Sequence, residues 1–400
     1  MPRAQTPPET ARARPTGSED PMSPTLPAFC MSTPWGRVRG EDPLTGLPEA
    51  QALAAAAEHG TAVAGLLPFD PGQEPLLMVP RRWERTPAKD SRPGVPEPTA
   101  TAAALPAPRA VHGLDSPAFR EAVAAAVARL HDGQLEKIVL SRLLRLDYDA
   151  AAPLDPAAVH RNLLAQHPRA YVFACRDPRA GEGQETETPW HLGASPELVM
   201  SVRDGVCTTH PLAGSASRTG ARDATEDVQI GEQLMRSPKD RGEHATVIRD
   251  IARRLDPLCE ELEVPAAPSL LATPQLWHLG TRITGRLKPG VTALDAARAI
   301  HPTPAICGSP RDTALRMIEE LEPHRRGFFG GLVGWCGPDG DGEWALNLRS
   351  ARVGARRAVL FAGAGIVEGS TPGGEHAETG TKLSTFLAAL GLDARARPVR

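Results

Sequence analysis

The segment KIVLSRLLRLDYD, residues 137–149, begins the part of the chain in which the pattern of elements is clear. Its branched residues and its alternation of apolar and polar positions are typical of a β-strand. A helix is predicted just before it, because Asp115-Ser116-Pro117 places a capping residue ahead of a proline and Gly133 can end the helix. Apolar residues recur at helical spacing between these limits: Phe119, Val123, Val127 and Leu130.

Strands and helices follow this segment towards the C-terminus. The predicted strands are YVFACR (171–176), ELVMSVRDGVCTTHPLAG with its turns (197–214), GFFGGLVGWC (327–336), WALNLRSARV (344–353) and AVLFAGAGIV (358–367). Two helical stripes are predicted, one with Val247, Ile251, Leu255, Leu258 and Leu262, the other with Leu383, Phe386, Leu387 and Leu390. Many consecutive strands with helices between groups predict an α+β fold with a mostly antiparallel sheet.

The N-terminal part carries weaker signals. Residues 1–27 are rich in Pro, Arg, Thr and Glu, and this composition predicts a flexible tail. A similar stretch at about 87–109 predicts an exposed loop or linker, while TAVAGLLPFD and PLLMVP, between the two, predict short strands. We therefore expect one catalytic domain over residues 28–400, with its core motifs at 116–392.

Composition excludes several classes of protein. The 400 residues are 41% hydrophobic and include 45 basic and 48 acidic residues, so the formal net charge of −3 does not favour nucleic-acid binding. The six cysteines are scattered without a CxxC pair, which argues against a disulfide framework or a zinc site and for a reducing compartment. No apolar run reaches the roughly 18 residues of a membrane helix. The first residues lack the apolar core of a secretory signal. A cytoplasmic protein without a membrane partner is expected.

A first group of candidate residues lies near the C-terminus. Glu375, Glu378 and Lys382 are spaced by three and then four, so a helix would present them on one face. Two carboxylates on one face can bind a hard cation such as Mg²⁺. The alternative is a solvated helix face with an ordinary Glu–Lys pair.

Other candidates each admit a structural alternative. Glu243 in SPKDRGEH is a metal ligand or part of a helix start. Glu197 in HLGASPELV is a buried acid or a turn carboxylate at a strand edge. Lys137 is a base or an edge-strand lysine that opposes aggregation. Gly363 and Gly365 allow a close ligand or mark a bulge or tight packing. No Walker-type glycine loop supports a phosphoryl-transfer enzyme.

Taken together and in order, ten segments between residues 136 and 391 resemble the chorismate-utilising enzymes, which include isochorismate, salicylate, anthranilate and aminodeoxychorismate synthases. The matching segments are EKIVLSR, HLGASPELV, HPLAGSASR, SPKDRGEH, QLWHLGTRITG, HPTPAICGSP, GFFGGLVGW, GEWALNLRSA, FAGAGIVEGS and EHAETGTKLSTFLAALG. The resemblance implies a two-layer, mostly antiparallel sheet core surrounded by helices, with the site in a deep cleft. Ile306 stands where leucine is common in the family, which affects only details of the pocket.

The resemblance also implies roles for individual residues. Lys137 matches the base that activates water, and Glu197 matches the acid that protonates the departing hydroxyl. Mg²⁺ is the implied cofactor, with Glu243 and Glu378 as ligands and with Glu375 and Asp240 close to it, acting through water. The implied substrate-binding residues are Gly214, Ser215, Arg349, Gly363 and Lys382, together with Ala305, Ile306 and Phe329 beside the enolpyruvyl side chain.

The reaction implied is the magnesium-dependent conversion of chorismate into isochorismate, by addition of water at C2 and loss of the C4 hydroxyl. Lys137 separates this reaction from that of anthranilate-type relatives, which use ammonia and are often linked to a glutamine amidotransferase. We expect no such subunit, and we expect a monomer. The C-terminal run resembles the siderophore branch more than the menaquinone branch. A salicylate synthase and a non-catalytic chorismate-binding paralogue are the alternatives.

Overall fold

The computed structural model describes residues 26–88, 103–181, 189–218, 221–272 and 276–399. The predicted N-terminal tail lies outside the described residues except for positions 26 and 27, and so does most of the predicted linker. Within these ranges, no helix is long and apolar enough to cross a membrane.

The described residues form twenty β-strands and eight α-helices. The strands are β1 (Phe29–Thr33), β2 (Gly36–Thr45), β3 (Val63–Leu67), β4 (Leu76–Pro87), β5 (Ala110–His112), β6 (Lys137–Asp147), β7 (Tyr171–Arg176), β8 (Trp190–Ser195), β9 (Leu198–Arg203), β10 (Val206–Thr209), β11 (Leu212–Ser217), β12 (Cys259–Glu263), β13 (Ser269–Ala272), β14 (Leu276–Gly280), β15 (Ile283–Leu287), β16 (Gly308–Ser309), β17 (Leu332–Cys336), β18 (Gly342–Leu346), β19 (Ser350–Val353) and β20 (Arg357–Ile366). The helices are α1 (Glu49–His59), α2 (Pro117–His131), α3 (Pro156–Gln166), α4 (Ala224–Arg236), α5 (Pro238–Leu255), α6 (Ala293–Ile300), α7 (Arg311–Leu321) and α8 (Pro372–Ala389).

Seventeen strands form one continuous antiparallel ribbon. Its order is β12-β15-β10-β9-β18-β17-β3-β4-β2-β1-β7-β8-β19-β20-β6, with β5 and β16 both paired to β6. A separate sheet of three strands has the order β11-β14-β13 and is also antiparallel. The predicted α+β fold with a mostly antiparallel sheet is confirmed.

The ribbon folds back into two layers, as the alternation of buried side chains along β3 and β7 indicates. On β3, Val63 packs in a cluster with α1, α2, α5, α6 and α7, while Leu66 faces a different cluster. On β7, Val172 packs with α3 and α8, while Phe173 joins Leu66 in the same inner cluster. Because a strand sends successive side chains to opposite faces, the inner cluster lies between the layers and helices cover both outer faces.

Several local predictions need correction. The stripe expected to continue to Leu258 and Leu262 is not one helix, because α5 ends at Leu255 and Leu262 lies in β12. Strand β4 runs to Pro87 and therefore takes the first residue of the predicted linker. Helix α2 begins at Pro117 as predicted, but Ser116 makes no side-chain capping hydrogen bond. Tertiary packing of the apolar face, rather than that cap, therefore holds the start of α2.

Two of the passages of the chain between the two layers are neighbours in space. Strand β8 packs with α3 and α8, whereas β9, which follows it, packs on the opposite outer face. Strand β18 pairs with β9, and β19, which follows it, pairs with β8. The two crossings, at residues 195–198 and 346–350, therefore lie side by side, and both contain residues that the sequence marks as functional.

Candidate active site

Glu197 and Arg349 occupy the two crossings between the layers. The backbone N–H of Leu346 donates to the carbonyl of Glu197 at 3.0 Å, and that of Ala194 donates to the carbonyl of Arg349 at 3.2 Å. Arg349 has a φ of 50°, a left-handed conformation that is uncommon for residues other than glycine. The paired crossings thus fix the backbone of the candidate acid relative to that of the candidate carboxylate-binding arginine.

The environment of Glu197 favours its protonated form. Burial raises the pKa of its carboxyl to about 7, although the charges of Lys137 and Lys382 and a backbone hydrogen bond from Leu212 act in the opposite direction. Glu197 does lie in the turn just before β9, as the alternative of a turn carboxylate at a strand edge requires, but its side chain is half-buried. A carboxyl group that titrates near neutral pH can hold a proton and release it during a reaction.

Lys137 begins β6 in the interior of the sheet. Its strand pairs with β16 on one side and with β20 on the other, so the edge-strand alternative is wrong. Its Nζ lies 2.5 Å from Oε1 of Glu243, and its side chain is 16% exposed. Among the described residues, no salt bridge joins Lys137 to Glu197. The candidate base and acid are therefore near enough to interact electrostatically without forming a direct pair.

Gly365 makes room for the lysine. A Cβ atom at this position would lie 2.9 Å from Cε and 3.4 Å from Nζ of Lys137. The pairing of β20 with β6 runs through Gly363 and Gly365 without a shift of register, so the predicted alternative of a bulge is wrong. Close approach of a side chain is thus the reason for glycine at position 365.

Helix α8 carries three candidate residues, as the spacing of Glu375, Glu378 and Lys382 predicts. Nζ of Lys382 donates to the carbonyl of Gly363 at 3.0 Å and lies 2.6 Å from Oε1 of Glu378. Burial lowers the pKa of Lys382, and the charge of Glu378 opposes this effect. Burial likewise lowers the pKa of Arg349, again opposed by Glu378. These interactions place two cationic side chains close to the Glu378 carboxylate.

Helix α5 carries the other two candidate metal ligands. Its N-cap is Ser237, which accepts a hydrogen bond from the backbone N–H of Asp240 at 3.2 Å and donates one to the Asp240 carboxylate. Asp240 therefore also has the capping role considered for this segment. Gly214 lies against it with a φ of 81°, and a Cβ at position 214 would be 3.3 Å from Cβ of Asp240. The turn around Gly214 is thereby packed onto the start of α5.

The candidate metal ligands are shared between α5 and α8. In the parts of the chain that the structure describes, no three His, Cys, Asp or Glu side chains form a group arranged to hold a metal ion. Glu243 is directed to Lys137 instead. Glu375 is different, because its Oε2 is buried without a hydrogen-bond partner among the described residues, and burial and the charge of Glu378 raise the pKa of its carboxyl. A divalent cation is a chemically suitable partner for such an oxygen.

His278 is a further candidate residue, which the sequence analysis did not identify. It lies on β14 opposite Ser215, whose Oγ is 2.7 Å from its Nδ1. Burial lowers the pKa of the imidazole, and the charges of Arg349 and Lys382 lower it further. The histidine is in the quoted segment QLWHLGTRITG, but its role depends on the pairing of β11 with β14, which no local pattern shows.

The three residues expected beside the enolpyruvyl group differ in their burial and contacts. Ile306 is 6% exposed and packs in the hydrophobic core. Ala305 is half-buried. Phe329 stacks on Phe361 with ring centroids 5.3 Å apart, and a Cβ at position 363 would lie 3.8 Å from its Cε1. The structure therefore brings Phe329 to Gly363.

Comparisons with known proteins show which family the chain resembles. Residues 73–391 match the family model described as "Chorismate binding enzyme". The isochorismate synthase DhbC of Bacillus subtilis is 40% identical over 350 residues, which are 86% of this chain and 85% of that protein.

Two solved structures are also similar. The DhbC protein of Bacillus anthracis, assigned to the 2,3-dihydroxybenzoate-specific isochorismate synthases, has a TM-score of 0.79 and 32% identity, with 94% of this chain and 98% of that chain covered. MenF, the menaquinone-specific isochorismate synthase of Escherichia coli, has a TM-score of 0.74 and 25% identity, with 92% of this chain and 89% of that chain covered.

Proposed function

The chain belongs to the chorismate-binding enzyme family, and we propose that it is an isochorismate synthase, an isomerase that adds water to C2 of chorismate and expels the C4 hydroxyl. One observation carries this proposal. Lys137 and Glu197 are both present and near enough to interact, but they do not pair with each other. A direct pair would hold Glu197 ionised, which is the wrong state for the acid, and the pair that Lys137 makes with Glu243 has to open before Lys137 acts as a base.

The two proton transfers follow from these side chains. Neutral Lys137 takes a proton from water as the water oxygen bonds to C2. Both double bonds of the ring diene shift by one position as the C4–O bond breaks, and protonated Glu197 gives its proton to the departing hydroxyl, which leaves as water. One water enters and one leaves, so the reaction is an isomerisation. Burial of Glu197, which raises its pKa to about 7, supports its role as the acid.

Arg349 and Lys382 provide the positive charge for a substrate with two carboxylates. An arginine can bind a carboxylate through two parallel hydrogen bonds, whereas a lysine acts as a point charge. Arg349 is held by its crossing between the layers, and Lys382 by its bond to the Gly363 carbonyl. We assign the first carboxylate to Arg349, with Lys382, Gly214, Ser215 and Gly363 lining the substrate.

Mg²⁺ fits the residues present. All four candidate ligands are carboxylates, and the buried Oε2 of Glu375 needs a partner. We assign the ion to Glu243 and Glu378, with Glu375 and Asp240 acting through water. When bound, Mg²⁺ would neutralise a substrate carboxylate and withdraw electrons from the ring.

The surroundings of the enolpyruvyl group support release of isochorismate rather than conversion into salicylate. Phe329 and Ala305 offer no hydroxyl that would fix the side chain folded over the ring. Similarity to DhbC proteins supports a role in making 2,3-dihydroxybenzoate siderophores. Cytoplasmic location, a monomeric state and the lack of an amidotransferase subunit stay predictions.

The decisive experiment is chromatography of the products formed from chorismate and Mg²⁺, with an enzyme-free control for spontaneous decay. We expect isochorismate at early times. Salicylate as the main early product would favour the salicylate synthase alternative. No consumption of chorismate by folded protein would favour a non-catalytic paralogue.

A further inference from the structure

Arg142 is a buried arginine on β6, the strand that begins with the candidate base. It is 4% exposed, and among the described residues no carboxylate forms a salt bridge with it. Burial lowers its pKa to about 10, which leaves it charged at neutral pH. A buried charge without a carboxylate partner is costly, so the contacts that it makes call for an explanation.

The guanidinium joins three parts of the chain. Its Nε donates to Oγ1 of Thr379 at 2.8 Å, and its Nη2 donates to the carbonyl of His376 at 3.5 Å, both on α8. Its Nη1 donates to the carbonyls of Gly113 and Leu114 at 3.0 and 3.3 Å. We call these five residues the Arg142 junction; it ties β6 and α8 to the segment that precedes α2.

The junction reaches the backbone of the first two turns of α8, from which the Glu375 and Glu378 side chains project. Thr379 is fully buried, and its hydroxyl lies 3.0 Å from the carbonyl of Glu375 and 2.9 Å from that of His376, to either of which it can donate. His376 adds a second bond, since its Nε2 lies 3.0 Å from the Leu114 carbonyl. The first two turns of α8, which present Glu375 and Glu378, are therefore held at a fixed position by Arg142.

We propose that Arg142 is a positioning residue that sets the α8 carboxylates relative to Lys137, so that a divalent cation and the base act on the same substrate. The three nitrogens of a guanidinium carry five N–H donors and reach acceptors on separate segments, which the single nitrogen of a lysine cannot do, and this geometry explains why a buried cation stands where a well-packed apolar residue would cost less. The inference rests on the metal assignment made above.

The test compares variants in the whole 400-residue chain. Arg142→Lys keeps the charge but loses the planar guanidinium group with its several N–H donors. Thr379→Val loses the hydroxyl at nearly constant volume. The matched controls are Thr379→Ser, which keeps the hydroxyl, and Arg145→Lys, on the same strand but 41% exposed and paired with Asp147. Binding of Mn²⁺, followed by electron paramagnetic resonance without substrate, is the main readout. Circular dichroism and thermal melting report on the fold.

Loss of a supporting residue commonly weakens metal affinity by about 10- to 100-fold. We expect Arg142→Lys and Thr379→Val to weaken Mn²⁺ binding by about 10-fold or more, and both controls to stay within about twofold of the wild type. Guanidinium ion should partly restore binding to Arg142→Ala. If Arg142→Lys fails to fold, Thr379→Val decides. Folded variants that bind Mn²⁺ like the wild type would overturn this proposal alone, whereas wild type that binds no Mn²⁺ would instead remove the metal assignment.

Discussion

Nζ of Lys137 lies 2.5 Å from Oε1 of Glu243, and this ion pair joins the start of β6 to the second turn of α5. The same two residues are assigned different tasks, one as base and the other as metal ligand. A carboxylate in contact favours the charged form of a lysine, while a base must be neutral. We therefore expect this pair to separate in the working enzyme.

Substitution of Lys137 separates its role as base from its role in the ion pair. Lys137→Ala should reduce turnover by roughly 10²-fold or more, the range for loss of a general base. Lys137→Arg keeps a positive charge beside Glu243 but cannot give up its proton. Its turnover, measured by chromatography with circular dichroism as the control for folding, should be as low as that of the alanine variant. Recovery of activity with arginine would show that only the charge matters.

The pKa of Glu197 predicts how activity depends on pH. The acid must be protonated, so kcat/KM should fall as the pH rises through about 7. Glu197→Gln should reduce turnover by roughly 10²-fold and remove this limb of the profile. A profile that stays flat from pH 6 to pH 9 in the wild type would contradict the assignment.

The same pKa predicts an effect on stability. Since the folded-state pKa of Glu197 lies above the ordinary value of 4.5, its contribution to stability is present at low pH and is lost as the pH rises through about 7. The glutamine of Glu197→Gln does not ionise. The melting temperature of the variant minus that of the wild type should therefore be larger at pH 8 than at pH 4. Thermal melts of both proteins without metal or substrate provide the measurement.

Gly365 offers a test of how exactingly Lys137 is placed. In Gly365→Ala the new methyl group would lie 2.9 Å from Cε of Lys137, so the lysine must move. We expect kcat to fall by about 10-fold or more with a smaller change in KM, because misplacement of a catalytic group by about 1 Å can cost as much as 10²-fold. Gly369→Ala is the matched control, since a Cβ there meets nothing within 4 Å. Equal activity of the two variants would contradict this reading.

Removal of metal should abolish turnover. Without a cation, Glu375 and Glu378 would repel each other and the dianionic substrate. Exhaustive chelation should remove activity and added Mg²⁺ should restore it, while Glu378→Gln should raise the Mg²⁺ concentration needed for half-maximal activity. Full activity after chelation would remove the ion from the mechanism.

Product choice should respond to hydroxyl groups near the substrate side chain. Ala305→Thr combined with Phe329→Tyr should raise the proportion of salicylate, because hydroxyls there can fix the enolpyruvyl group in the folded conformer that loses pyruvate. Chromatography of early products measures the ratio.

The sequence by itself determined the class of fold and the chemistry of the candidate residues. Alternation in residues 137–149 and the spacing of Glu375, Glu378 and Lys382 are local patterns, and local periodicity reports directly on strands and helices. For the same reason the prediction from periodicity placed the end of α5 too late, because apolar residues at helical spacing continue into β12. It also gave no sign of α1, whose alanine-rich face carries little apolar contrast.

Only the tertiary structure decided which residues meet. The adjacent crossings that hold Glu197 and Arg349, the contact of Lys137 with Glu243, and the position of His278 opposite Ser215 all join segments far apart in the chain. Such contacts depend on which strands pair and how the ribbon folds into two layers. They are set by the burial of the whole core rather than by any local pattern, so periodicity and spacing cannot reveal them.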